Sequence, residues 1–277
     1  MGGVAVTAMQ KTAGKLESRR ITVNGLSLRY RLTVEPEPAS ETAIVMVHGL
    51  VVSNRYMLPT ARCLAEHYRI YVPDLPGYGR SAHPRDILDM AELADALADW
   101  MTALGLERAV LLGNSMGCQI IAQFVMRHPH RLLHAILVSP TMDPRARTAH
   151  QEIGRWLVNI IFEPPSLYPI VMRDFLDVGL RRFTGTFRRA LRDHIEEHLP
   201  HLNVPTLVVR GSRDTVVPQR WAEEVTRLLP QGRLVVVPKA AHDVNYNSPQ
   251  ALADVVCSFL AEQDVAMGED TNSSSVK

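Results

Sequence analysis

The chain has 277 residues, of which 46% are hydrophobic and 21% charged, and its formal net charge at pH 7 is +1. These values are typical of a globular protein and give no electrostatic reason to expect a nucleic acid or an anionic membrane as a partner. The cysteines Cys63, Cys118 and Cys257 are scattered and form no C-x-x-C pair. The sequence therefore predicts neither a disulfide framework nor a thiolate zinc site, and it favours a cytoplasmic protein.

The two ends of the chain differ in composition from its middle. Residues 1–18 lack the continuous apolar core of a signal peptide, and the tail GEDTNSSSVK is polar. We expect residues 1–18 and 264–277 to be disordered, because such segments cannot bury enough apolar surface to order themselves. No apolar run in the sequence is long enough to cross a bilayer.

A hairpin is predicted near the start of the chain, where Asn24-Gly25 separates two strand-like runs. Six short runs rich in Val, Ile and Leu follow it: AIVMV, YRIYVPD, RAVLLGN, HAILVSP, TLVVRG and RLVVVP. Strands that are covered on both faces have this composition. Helical patterns lie between the runs, as in residues 90–105, so the sequence predicts an α/β protein with a mostly parallel eight-stranded sheet flanked by helices.

The segment 143–200 interrupts the alternation of strands and helices. It shows helical patterns and no convincing strand, and it lies between the strand-like runs HAILVSP and TLVVRG. We interpret it as a helical cap inserted between two parts of a core domain, residues 19–142 and 201–263.

Large apolar side chains are concentrated in this predicted cap. They are too many for an exposed insertion, so some of them should face a cavity. The predicted pocket residues are Trp156, Phe162, Tyr168, Met172 and Phe175. We therefore expect a mainly apolar substrate.

Several arginines lie near the end of the predicted cap, in the stretch FRRALRDHIEEHL. Helical spacing would pair Arg189 with Asp193 and Arg192 with Glu196. We interpret these arginines as a solvated helix face rather than a binding patch.

The motif G-x-S-x-G occurs at residues 113–117, as Gly113-Asn114-Ser115-Met116-Gly117. It follows the run RAVLLGN directly and opens a helical pattern. A sharp strand-to-helix turn of this kind forces the serine into a strained conformation, and the glycines leave room for the turn. Ser115 is therefore the predicted nucleophile, with its hydroxyl at the carboxyl end of the sheet.

A serine nucleophile needs a base, and the base needs an acid that orients it. Asp214 follows the run TLVVRG, and His242 follows RLVVVP. Both lie just beyond the carboxyl ends of predicted strands, so both should reach the same edge of the sheet as Ser115. If Asp214 is not the acid, Asp143 is the next candidate.

Two backbone amides are predicted to stabilise a developing oxyanion. One belongs to Met116, the residue after the nucleophile, and the other to Leu50, in the loop after AIVMV. His48 lies in the same loop, but we expect His48-Gly49 to mark a turn rather than to supply the base.

Four features occur in the order typical of one enzyme family: HG at 48–49, DLPGYGRS at 74–81, GNSMG at 113–117, and the pair Asp214 and His242. Over residues 20–262 the chain resembles a capped α/β-hydrolase-fold serine hydrolase. The resemblance implies the α/β-hydrolase fold, a Ser-Asp-His triad and no metal or other cofactor. It also implies that Gly77 and Gly79 serve a tight turn, where they permit positive φ.

Within that fold, GNSMG is similar to the motif of meta-cleavage-product C–C hydrolases as well as to that of many esterases. Two stretches of this chain depart from the C–C hydrolases. Residues 50–52 read Leu-Val-Val where those enzymes tend to have a Gly-Pro-Gly-like loop. Asp243 follows His242 where they tend to have a tryptophan.

The sequence thus predicts a hydrolase that cleaves a carboxylic ester or related acyl bond of a small substrate through an acyl-enzyme at Ser115. Two alternatives stay open: hydrolysis of a C–C bond in a dienol-type ring-fission product, and a small-molecule receptor that keeps the triad without turnover. A small-molecule substrate is the expected partner. Neither a nucleic acid nor a membrane is expected, and a homo-oligomer is left open.

Overall fold

The computed structural model describes residues 14–35, 37 and 40–274, and within the last helix it describes side chains as far as Val265. Eight strands form one sheet: β1 (Lys15–Val23), β2 (Leu26–Glu35), β3 (Ala43–Val47), β4 (Arg69–Pro73), β5 (Ala109–Asn114), β6 (Leu132–Val138), β7 (Thr206–Gly211) and β8 (Gly232–Val237). Their order across the sheet is β1-β2-β4-β3-β5-β6-β7-β8. The predicted eight-stranded sheet is confirmed.

The predicted hairpin forms the edge of this sheet. β1 and β2 are antiparallel, with Val23 opposite Leu26, and the two residues between them have positive φ, 49° at Asn24 and 77° at Gly25. β2 also runs antiparallel to β4. The six strands from β3 to β8 are parallel to one another, as the six apolar runs predict.

The central strands are covered on both faces, which accounts for their composition. Every residue of β3, β5 and β7 is buried. Their side chains alternate between two hydrophobic clusters, so that Val45 and Val47 lie in one and Ile44 and Met46 in the other. A parallel sheet of this kind brings the carboxyl ends of its strands, and the loops after them, to one edge.

In the part of the chain that the structure describes, ten α-helices flank the sheet or connect its strands: α1 (Asn54–Leu64), α2 (Met90–Ala103), α3 (Met116–Arg127), α4 (Ala149–Ile160), α5 (Tyr168–Val178), α6 (Leu180–Arg192), α7 (Ile195–His198), α8 (Gln219–Leu228), α9 (Val244–Asn247) and α10 (Pro249–Ser274). Within the described residues, no helix is long and apolar enough to span a membrane.

The ends of the described chain differ from the prediction of disorder. Residues 15–18 belong to β1, because their backbone pairs with β2, and α10 continues to Ser274. The disorder predicted for these two stretches is therefore wrong. Residues 1–13 and 275–277 lie outside the described residues.

The segment between β6 and β7 consists of helices joined by short loops and contains no strand. It contains α4 to α7 and three short 3-10 helices, Pro144–Ala146, Pro165–Leu167 and Leu199–His201. Phe183 and Phe187 of α6 pack against the main hydrophobic cluster, and their rings stack with centroids 6.0 Å apart. Apolar contacts of α6 join this segment to the hydrophobic cluster, and polar contacts of α4 join it to the loops after β7 and β8.

Candidate active site

The turn between β5 and α3 holds Ser115 in a backbone conformation that non-glycine residues rarely adopt, with φ 56° and ψ −119°. Its amide donates to the carbonyl of Val138 on the neighbouring strand, at 2.9 Å. Ser115 itself stays half-exposed, while Asn114 and Met116 on either side are buried. The turn therefore presents the serine side chain at the carboxyl edge of the sheet.

The glycines of the motif are required by close approach of other backbone atoms. A Cβ on Gly117 would overlap the carbonyl oxygen of Val47, at the end of β3. A Cβ on Gly113 would lie 2.6 Å from the backbone of Gly117. Both contacts are too short for a real side chain, so α3 can start this close to β3 and β5 only with glycine at both positions.

Asp214 and His242 meet at the same edge of the sheet, one after β7 and the other after β8. Asp214 Oδ2 lies 3.0 Å from His242 Nδ1, and both side chains are almost fully buried. The other carboxylate oxygen, Oδ1, accepts the amides of Val216 and Val217, each at 2.9 Å. Asp214 is thus held by three donors, which fixes the orientation of the imidazole it contacts.

The charges around His242 favour its protonated form. Burial alone would lower the pKa of His242, but the Asp214 carboxylate, together with Asp243 and Glu163, raises it to about 9. Burial would raise the pKa of Asp214, yet the contact with His242 and the backbone amides hold it below its usual value. Asp214 therefore stays ionised beside the imidazole.

A buried chain of hydrogen bonds connects the loop after β3, the serine turn and the histidine loop. The amide of Gly49 donates to the hydroxyl of Tyr56 at 2.8 Å, and that hydroxyl donates to Asn114 Oδ1 at 2.7 Å. Asn114 Nδ2 donates in turn to the carbonyl of His242 at 3.3 Å. Sequence reasoning missed both linking side chains, since Asn114 occupies the variable position of the motif and Tyr56 lies within an ordinary helix.

The same contacts bring the predicted oxyanion donors to this edge. A Cβ on Gly49 would lie 3.3 Å from the Cβ of Ser115, so the loop that carries Leu50 passes directly beside the serine. Met116 is the first residue of α3, where amides have no partner within the helix. Within the described part of the chain, neither of these two amides donates to another protein group.

His48 takes a structural position, consistent with the turn predicted there. Its Nε2 accepts the amide of Leu75 at 3.1 Å, so the ring proton lies on Nδ1 and is donated to the carbonyl of Gly49 at 2.9 Å. Burial lowers the pKa of His48 to about 4. The imidazole is therefore neutral and fully occupied in holding two loops together.

Asp143, the alternative acid, contacts arginines instead of the histidine. Its carboxylate accepts Arg155 Nη2 at 3.0 Å and forms a bidentate contact with Arg220.

The tight turn of residues 74–81 also has the conformation expected from its glycines, with φ 88° at Gly77 and 54° at Gly79.

Polar groups on the inward side of α4 bind the loops that carry Asp214 and His242. Asn159 Oδ1 accepts the amide of His242 at 3.3 Å, and the carbonyl of Arg155 accepts Thr215 Oγ1 at 2.9 Å. Glu163, just beyond the helix, accepts the amide of Asp243 at 2.9 Å. Sequence reasoning did not single out these residues, because helical periodicity directs attention to apolar positions.

The large apolar residues predicted to line a pocket lie mostly on the outside. Trp156, Phe162, Tyr168 and Met172 are between 41% and 60% exposed. Phe175 is half-buried, with its ring 5.5 Å from that of Phe183. The expectation that these side chains are too many to be exposed is wrong, since the buried residues of α4 are the polar Glu152 and Asn159, and those of α5 are Asp174 and Val178.

The sequence matches known families along most of its length. The profile of the family described as alpha/beta hydrolase fold matches residues 42–201, and that of a TAP-like protein family matches residues 188–272. The chain is 29% identical over 264 residues to the pimeloyl-[acyl-carrier protein] methyl ester esterase of Pectobacterium atrosepticum, covering 81% of this chain and 96% of the esterase. It is 28% identical over 255 residues to the sn-1-specific diacylglycerol lipase ABHD11 of Mus musculus, covering 80% and 82%.

A solved structure shares the fold. The crystal structure of a bacterial membrane phospholipase A superposes with a TM-score of 0.75 at 25% identity, over 89% of this chain and 86% of the phospholipase. The two proteins therefore share the same overall fold.

The crowding at Gly117 can be tested by stability. We expect Gly117→Ala to lower the free energy of unfolding by about 1–3 kcal/mol, because its methyl group would displace α3 from β3. Gly154→Ala is the matched control, since Gly154 is an exposed helical glycine with nothing within 4 Å of the added Cβ. It should raise the stability by roughly 0.5–1 kcal/mol. Urea denaturation measures both, and equal effects would contradict the close contact.

Proposed function

The chain belongs to the alpha/beta hydrolase fold family, and from that premise we propose that it is a serine hydrolase that cleaves carboxylic ester or related acyl bonds of a small, mainly apolar substrate. The observation that carries the proposal is the buried Asp214–His242 contact at the sheet edge where Ser115 is held in a strained turn. The named relatives support the ester class, because one is an esterase and another a lipase.

In the proposed reaction, Ser115 Oγ attacks the carbonyl carbon of the ester while His242 takes its proton. The new C–O bond pushes the carbonyl electrons onto the oxygen, and the Met116 and Leu50 amides stabilise the resulting anion. The tetrahedral intermediate expels the alcohol, which receives the proton from His242. Water then attacks the acyl-enzyme by the same route and releases the carboxylic acid.

Asp214 acts through the histidine. Its carboxylate holds the proton on His242 Nδ1, so that Nε2 is the nitrogen that accepts the proton of Ser115. The charge of Asp214 also stabilises the imidazolium that forms during the attack. The three donors that fix this carboxylate keep the geometry constant through both half-reactions.

The nucleophile is tested by covalent labelling. We expect a fluorophosphonate probe to label the protein at Ser115, and Ser115→Ala to lose both the labelling and the hydrolysis of p-nitrophenyl esters, because no acyl-enzyme can form. Ser258→Ala is the control, at an exposed serine on α10 whose hydroxyl donates to the carbonyl of Asp254, and it should keep both properties. Robust labelling of the Ser115→Ala protein would show that Ser115 is not the nucleophile. Ligand binding by the unmodified protein without any turnover would favour a receptor.

The acid is tested by a neutral isostere. We expect Asp214→Asn to lower kcat for a p-nitrophenyl ester by roughly 10⁴-fold, since an amide at this position favours the wrong imidazole tautomer. The fold should persist, because the side-chain oxygen can still accept the amides of Val216 and Val217. Steady-state kinetics and a thermal melt measure the two effects. Near-wild-type kcat would show that another group orients His242.

The charge near His242 predicts a pH effect. Because the base must be neutral, activity should rise with pH through the pKa of His242, which lies at about 9. Glu163→Gln removes one of the negative charges that raise this pKa, so the rise in kcat/KM should move to lower pH. Asp243, whose pKa is about 7, is already ionised in that range and does not offset the change.

The control for this shift is Glu197→Gln, which removes an exposed carboxylate on α7. The comparison requires kcat/KM for a soluble ester between pH 6 and pH 10. An unchanged profile for Glu163→Gln, or an equal shift for both variants, would contradict the proposed influence of Glu163.

A further inference from the structure

An ordinary surface helix turns its apolar side toward the core. The helix α4 has the opposite orientation. Glu152 and Asn159 are buried, whereas Trp156 and Leu157 are 45% and 55% exposed. Ile161, directly after the helix, is 78% exposed. The polar side of α4 faces the protein and its apolar side faces outward.

α5 also exposes large apolar side chains, while its inward side holds a buried carboxylate beside Val178. Asp174 accepts the hydroxyl of Ser53 at 2.7 Å and pairs with Arg55, while Met172 and Leu176 are 60% and 72% exposed. Together with Leu180 at the start of α6, which is 65% exposed, these side chains form what we call the outer apolar face: Trp156, Leu157, Ile161, Met172, Leu176 and Leu180.

The three helices that carry the outer apolar face contact one another. The hydroxyl of Tyr168, at the start of α5, donates to the carbonyl of Ile160 at the end of α4, at 2.7 Å. The edge-on contact between Phe175 and Phe183 joins α5 to α6. Groups of exposed apolar side chains of this kind mark sites that contact another phase or molecule.

The exposure of these apolar side chains cannot be relieved by rotating the helices, because polar groups on their inward sides are bound to the candidate active site. α4 binds the loops of Asp214 and His242, and α5 binds Ser53, in the loop that continues from Leu50. The outer apolar face therefore lies on helices that bind the loops of the candidate active site.

Exposed arginines of α6, the helix that begins at Leu180 of this face, form what we call the arginine border. Arg181 follows Leu180, and Arg188 and Arg192 lie seven and eleven residues later on the same side of α6, along a groove of about 730 Å³. Within the described residues, none of these three has a carboxylate at ion-pair distance. The two helical pairs expected from the sequence do not form, because Asp193 accepts two glutamines and Glu196 pairs with Arg147.

We propose that the protein docks on the surface of an anionic lipid layer through the outer apolar face and its arginine border, and takes ester substrates with apolar acyl chains from that layer. The uptake of ester substrates from the layer rests on the proposed function, whereas the docking on the layer does not. Apolar side chains would enter the layer beside basic groups that bind the lipid phosphates, without any helix crossing it.

A lipid layer fits this face better than a second copy of the chain. In a symmetric dimer the same patch would face itself, and the outer apolar face carries no acidic side chain that could pair with the arginines of the other copy. A second copy would also cover α4 and α5, the helices that bind the loops of the candidate active site. A lipid surface instead supplies opposite charge to the arginines and the acyl chains to the site.

The test is vesicle co-sedimentation of the full chain with two lipid compositions. We expect binding to phosphatidylglycerol vesicles that exceeds binding to phosphatidylcholine vesicles and weakens as salt is added. The variant carries Leu157→Gln, Ile161→Gln and Leu176→Gln, and its partition coefficient should fall by at least about ten-fold, because three large apolar side chains no longer enter the layer.

A matched control replaces exposed apolar residues elsewhere. Met126→Gln with Val265→Gln changes side chains that are 43% and 62% exposed on α3 and α10, and it should bind vesicles like the unmodified protein. Both variants should keep the thermal melt and the turnover of a water-soluble p-nitrophenyl ester. Equal loss of binding in both variants would overturn the proposal.

Other outcomes are equally decisive. Absence of vesicle binding by the unmodified chain overturns docking on lipid. So does a dimer, seen by sedimentation velocity, that the triple variant dissociates, since the face would then join two copies. Vesicle binding that persists in Ser115→Ala, with no ester turnover in the unmodified chain, would support docking while the proposed hydrolase activity failed.

Discussion

The close contact between the start of α3 and the end of β3 is the constraint on which the candidate site depends. Gly117 meets the backbone of Val47 with no space for a side chain, and only then can Ser115 lie at positive φ between β5 and α3. Such a conformation costs about 1–3 kcal/mol and persists because the surrounding sheet leaves no alternative. The buried strands on both sides of β5 supply that rigidity.

The polar contacts of the site extend from this turn in two directions. Asn114 joins the turn to Tyr56 and to the histidine loop, so that three loops from distant parts of the chain keep one arrangement. Asn159 and Glu163 then bind the histidine loop to the helical segment. Because the inward side of α4 is used for these polar contacts, its apolar side is left in solvent. The contacts that hold the histidine loop and the exposed apolar residues of α4 therefore have the same cause.

Much of the fold could be predicted from local patterns. The hairpin follows from Asn24-Gly25, because that pair adopts the positive φ values that a two-residue turn requires. The parallel strands follow from apolar runs without alternation, because both faces of the sheet are covered. The placement of large apolar residues in the helical segment was predicted wrongly, since the same periodicity describes a helix whichever side faces the protein.

The sequence by itself determined the order of strands and helices, the turn at Ser115, and the positions of Asp214 and His242 after two strands, because each depends on residues that are close together along the chain. Only the tertiary structure decided which carboxylate meets the histidine, that Tyr56 and Asn114 join three loops, and that α4 faces inward with its polar side. These contacts join residues as far apart as Asn114 and His242. They depend on how the sheet brings loops together, which no local pattern records.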